Sequence, residues 1–172
     1  MAFTPFWRRL FLVLHVVTSV GFPGAVACFL ALAVVGATVA DPQIARAVYL
    51  AMSLITWEVI VPLALASLIL GIVQSLGTPW GLVRYYWIII KLVLTVLAVA
   101  VLLLQTRTIN MLADMALAGD LTGMSGSRAG MIVHGAGGLV VLIVATILSV
   151  YKPRGMTRRG VLAVQAARSA MP

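Results

Sequence analysis

Charge is scarce in this chain: of 172 residues only 4 are Asp or Glu and 12 are Lys or Arg, while 63% are hydrophobic. A water-solvated domain carries about 25% charged residues, so the deficit excludes a soluble globule. A mean hydropathy of +1.15 makes lipid the solvent for most of the chain. Cysteine is almost absent. Cys28 alone rules out an intrachain disulfide and a thiolate-rich metal site, and its place in an apolar run assigns it to packing. Also missing are a Walker A loop, an H-E-x-x-H helix, a C-x-x-C pair and a G-x-S-x-G elbow, so soluble-style catalysis has no motif.

What is present is apolar sequence in long blocks. A helix needs about 20 apolar residues to cross a bilayer with its backbone hydrogen bonds satisfied. Four segments qualify, at about 10–39, 47–73, 88–104 and 131–150. The runs are continuously apolar rather than alternating, which predicts an all-α, polytopic transmembrane four-helix bundle and not a barrel. Asp41-Pro42, Gly77-Thr78-Pro79 and Lys152-Pro153-Arg154-Gly155 supply turn chemistry where spans should end. The whole of 1–172 reads as one integral membrane domain with an outer loop at 105–128 and a basic tail at 152–172. Within that loop, Ile109, Leu112 and Met115 or Ala116 fall at helical spacing, which suggests a helix lying on the outer surface.

The bases orient the bundle. Arg8, Arg9, Arg84, Lys152, Arg154, Arg158, Arg159 and Arg168 share one side, and Arg46, Arg107 and Arg128 the other. The positive-inside rule then gives N-in and C-in, with Asp41, Asp114 and Asp120 outside. The net charge of +8 is thereby topological, and the tail is drawn to anionic headgroups with no nucleic-acid partner required. The apolar run after Arg8 and Arg9 is about twice the length of a signal h-region, so it is expected to be a retained anchor. Ser75-x-x-x-Pro79-x-Gly81-x-x-Arg84 recurs as Ser149-x-x-x-Pro153-x-Gly155-x-x-Arg158. That echo suits either two parallel helical hairpins or shared turn chemistry at two membrane exits.

Ionisable residues inside spans are costly and mark partners, cavities or ligands. The chain has His15, Glu58, Lys91 and His134. Glu58 falls near the midplane, and Pro62 four residues later removes the N–H that its carbonyl would accept. This pairing suits a proton, a small cation or a lysine, or else a protonated Glu bound to another helix. Lys91 lies about one turn inside the aromatic belt of Tyr85, Tyr86 and Trp87, where it can snorkel or turn inward toward His15. His134 has Gly130 and Gly138 four residues to either side, a flat stripe suited to close helix packing or to a planar macrocycle ligated by the imidazole. His15 is followed by Ser19 and by the kink signal Gly21-Phe22-Pro23-Gly24. The two histidines are separated by roughly 15 Å along the normal, so a single haem or metal ion bridging them is not expected.

Leu14-His15-Val16-Val17-Thr18-Ser19-Val20-Gly21, Trp87-Ile88-Ile89-Ile90-Lys91-Leu92 and Ser149-Val150-Tyr151-Lys152-Pro153-Arg154-Gly155 resemble a family of small bacterial four-span integral membrane proteins of uncharacterised function, over most of the chain. The first-helix Leu-His with a following Gly and the third-helix Trp-x-x-x-Lys-Leu are also distantly similar to HemJ-type protoporphyrinogen oxidases and CopD-type copper-resistance proteins. That resemblance implies a haem or porphyrin site, with haem b as cofactor, using His15 and Lys91. The HemJ pattern usually reads Trp-x-His-x-Lys, and this chain carries Ile89 at the histidine position. CopD-type copper handling would draw on Met111, Met115, Met124 and Met131 near the outer loop.

Three functions are therefore expected to compete. The first is haem or porphyrin binding, with membrane electron transfer, through His15, Lys91 and separately His134. The second is a small proton- or cation-coupled transporter centred on Glu58, and the third is a non-catalytic subunit of a membrane complex. The expected setting is the bacterial cytoplasmic membrane, with a homo-oligomer or a membrane complex as the assembly.

Overall fold

The computed structural model describes residues 4–78, 81–119 and 125–169. Among these there is no strand. Helix α1, Pro5–Thr38, opens with proline in its first turn, where a missing N–H costs nothing. It continues unbroken through Pro23 despite the kink signal there. Asp41 caps α2, Pro42–Ile55, by accepting from the Gln43 amide at 2.8 Å.

The second span is interrupted. After α2 the chain makes a π-turn, Thr56–Ile60, before α3, Val61–Leu76. Pro62 explains the place: it has no amide for the Glu58 carbonyl, and the Val61 N–H reaches back five residues to the Thr56 carbonyl instead. One surplus residue turns everything beyond it by roughly 100° about the helix axis. Accordingly α2 packs about equally on α1 and on helix α4, Tyr86–Ala118, whereas α3 packs chiefly on α1.

Helix α4 ends on Gly119, whose φ of 77° provides the left-handed cap. It therefore runs well past the predicted span end at 104, and the first half of the predicted outer loop is its last turns. Ile109, Leu112 and Ala116 are at helical spacing as expected, but they are buried in the core rather than lying on an outer surface. The rest of that loop, with Asp120 and Met124, lies largely outside the described residues. Helix α5, Ser125–Tyr151, completes the bundle, and the basic tail forms α6, Arg158–Ser169. Four segments, Pro5–Thr38, Pro42–Leu76, Tyr86–Ala118 and Gly126–Tyr151, are long and apolar enough to cross a membrane.

The spans alternate in direction. The second and fourth flank α1, and the same two flank α4. The tightest packing lies at the end away from the termini, where Phe29, Ala33, Tyr49, Met52, Leu112 and Met131 are all buried. There Gly36 lets α2 approach: a Cβ would sit 3.1 Å from Val48 and 3.2 Å from the Tyr49 ring, whose hydroxyl donates to the Gly36 carbonyl at 2.7 Å. At the terminal end, α1 has no buried residue before Phe22.

That end is closed by a clasp between the two connections that carry the sequence echo. Thr157 N–H donates to the Arg84 carbonyl at 3.0 Å, and Tyr86 N–H to the Gly155 carbonyl at 3.3 Å. The Thr157 hydroxyl donates to the Val83 carbonyl at 2.7 Å and accepts from the Gly160 amide at 3.1 Å, capping α6.

Candidate functional site

The loosely packed terminal end holds a cavity of about 560 Å³ between α1, α3, α4 and α5, within the size range of small-molecule sites. His15 from α1 and Lys91 from α4 meet on its wall. Lys91 Nζ donates to His15 Nε2 at 3.4 Å. An imidazole nitrogen that accepts carries no proton, so in the neutral ring Nδ1 bears the hydrogen and donates to Ser19 Oγ at 3.4 Å. The Ser19 hydroxyl in turn bonds the Ser67 hydroxyl of α3 at 3.0 Å. Four polar side chains thus join three helices in one connected run.

Two features make room for it. Gly71, one turn after Ser67 on α3, lies against the imidazole: a Cβ there would be 3.0 Å from His15 Cε1. The π-turn swings α3 toward α1 and away from α4, which leaves the α3–α4 side open. The lining includes the cations Arg8, Lys91 and Lys152 and no acid among the described residues, while Leu12, Leu68 and Ile88 keep much of it apolar. The Gln74 carbonyl oxygen is buried in the same lining with no hydrogen-bond partner. Chemically this is a largely apolar pocket with cations on its wall, beside a ring nitrogen.

Of the four ionisable residues singled out in the sequence, the fold brings only His15 and Lys91 together. Sequence reading missed Ser67, Gly71, Gln74 and Ser75. They recur at helical spacing as one small and polar stripe, the signal that was available. His134 sits on the half of the bundle away from the termini, in a separate apolar groove of about 320 Å³. Glu58 is exposed on the outside of the π-turn and lines neither cavity. Of the methionines proposed for copper, Met131 is only 3% exposed in the core while Met111 is exposed, so these two do not share a face, and Met124 lies outside the described residues. Among the described residues no group of three His, Cys, Asp or Glu could hold a metal ion. No family model, curated protein or solved structure matches the chain, so the chemistry of the site rests on its own residues.

Proposed function

We propose that this chain is a multi-pass protein of the bacterial cytoplasmic membrane, N-in and C-in, that holds a haem or porphyrin in the His15–Lys91 cavity and serves membrane electron transfer. The observation that carries the reading is the convergence of an imidazole and a lysine at 3.4 Å on the wall of a cavity lined by three cations and no described acid. The orientation is supported by the ends of the helices. Arg8, Arg9, Arg84, Lys152, Arg154 and Arg158 gather at the terminal end. Phe6, Trp7, Tyr86 and Tyr151 are exposed at the same end, as in an interfacial aromatic belt.

The donor set fits a carboxylated macrocycle. Lys91, Arg8 and Lys152 would hold its carboxylates, and His15, given room by Gly71, would offer a ring nitrogen to its metal. Lys91 holds that nitrogen in the absence of ligand, so a carboxylate that draws the ammonium away also releases Nε2. Bound haem would supply one-electron chemistry, and the chain's own task is to orient it and exclude water.

The test is an absorption spectrum, oxidised and reduced, of protein purified in mild detergent after expression with ample haem precursor. A Soret band lost in His15→Ala and weakened in Lys91→Met is the expected result. A featureless spectrum from folded protein, or a band that survives His15→Ala unchanged, overturns the assignment.

A further inference from the structure

His134 lies about one third of the way along α5, on the rim of the groove between α4 and α5. Its Nδ1 is 2.7 Å from the carbonyl oxygen of Gly130. A carbonyl only accepts, so Nδ1 carries the hydrogen and Nε2 of the neutral ring is a bare acceptor. The surroundings are otherwise apolar, with Phe22, Phe29 and Leu102 among the lining residues. Thr56 lines the groove too, but its hydroxyl proton is donated to the Met52 carbonyl at 2.7 Å. The remaining polar side chain of the lining is Gln105.

The groove is open because α5 carries glycine at 137 and 138, where an added Cβ would meet nothing within 4 Å. Val101 and Val133, also in the lining, are exposed on the outside of the bundle, so the groove communicates with the lipid-facing surface. An occupant must be apolar enough to arrive through lipid and must bring a hydrogen for Nε2. A quinone ring has carbonyl oxygens only and leaves Nε2 unmatched, whereas its reduced form carries hydroxyls. Gln105 can both donate and accept, so it suits the second oxygen of either form.

We propose that the His134 groove is a binding site for a lipid-soluble quinol, with the phenolic O–H donating to His134 Nε2, the ring in the groove and the tail in lipid. The site is distinct from the His15–Lys91 cavity and stands whether or not that cavity holds a macrocycle. It selects the reduced form, because the fixed tautomer offers an acceptor and no donor.

The experiment measures binding of a short-tailed ubiquinol and of the matching ubiquinone to the protein in lipid nanodiscs under anaerobic conditions, with empty nanodiscs subtracted. The wild type should prefer quinol by roughly tenfold, the worth of one matched hydrogen bond. His134→Ala should erase that preference while retaining the weaker, apolar affinity. Gly138→Leu should remove binding of both forms, and His15→Ala should change neither. Equal affinity of the wild type for quinol and quinone overturns the proposal, as does a preference that survives His134→Ala. A Soret band that depends on His134 overturns it as well, by assigning Nε2 to a metal.

Discussion

Substituting alanine for Gly160 tests whether the clasp between the two terminal-end connections is a working part of the fold. The added Cβ would collide with the Arg84 carbonyl oxygen, a backbone atom with no rotamer to escape into. Either α6 or the 81–86 segment must then shift, and three hydrogen bonds stand at risk: Thr157 N–H to Arg84, Tyr86 N–H to Gly155, and the Thr157 hydroxyl to Val83. At about 0.5–1.5 kcal/mol each they total roughly 3 kcal/mol. Alanine's better helix propensity offsets about 1 kcal/mol of that. A net local loss of about 2 kcal/mol corresponds to amide exchange at Thr157 and Tyr86 roughly thirtyfold faster, read by hydrogen–deuterium exchange in nanodiscs. Val161→Ala, on the exposed side of α6, serves as the control. Unchanged protection at both amides in Gly160→Ala would refute the reasoning and show that the two connections merely lie side by side.

Lys152 closes α5 with φ 43°, a left-handed conformation that costs a non-glycine residue roughly 1 kcal/mol. Lys152→Gly relieves that strain and removes one cation of the cavity wall, so it should lower the amount of bound macrocycle while the bundle stays folded, read by pigment stoichiometry alongside thermal denaturation. Tyr49→Phe removes the buried bond to the Gly36 carbonyl and should cost about 1 kcal/mol in detergent unfolding, with Gly36→Ala costing about 1–3 kcal/mol by overpacking the same contact. Asn110 of α4 accepts from the indole of Trp57 in the π-turn at 2.9 Å, so Asn110→Leu should destabilise by about 0.6–1.7 kcal/mol and shift tryptophan fluorescence. Lack of any fluorescence change would show that the indole does not depend on Asn110.

The helices were legible because lipid removes the ambiguity that water leaves: an apolar run of span length has no alternative to α-helix. Their ends were less so. Residues 105–118 look like a loop because Gln105, Arg107, Asn110 and Asp114 interrupt the hydropathy, yet Ile109, Leu112 and Ala116 carry enough apolar face to extend α4 into the core. The meeting of His15 and Lys91 could be framed from depth alone, since both lie near the terminal end. The stripe on α3 is visible as a pattern, but the side it faces is not, because the phase of Ser67, Gly71 and Gln74 relative to α2 is set by the π-turn. A wheel drawn with uniform 3.6-residue periodicity through 47–73 loses that phase at Pro62. Glu58, which its depth and Pro62 suit to a proton, a small cation or a lysine, or to a protonated bond with another helix, is exposed on that turn.

The π-turn also separates how the cavity is made from what lines it. The α3 residues that line the cavity at the terminal end are at 67 and beyond, but the opening between α3 and α4 is set by one surplus residue in Thr56–Ile60. Removing a single residue from that turn would rotate α3 back by roughly 100°, carry Ser67, Gly71 and Gln74 off the cavity wall and leave every side chain of the site chemically intact. The cavity of this bundle is thus adjustable by insertion or deletion at mid-span, a mode of variation that substitution at its wall cannot reproduce.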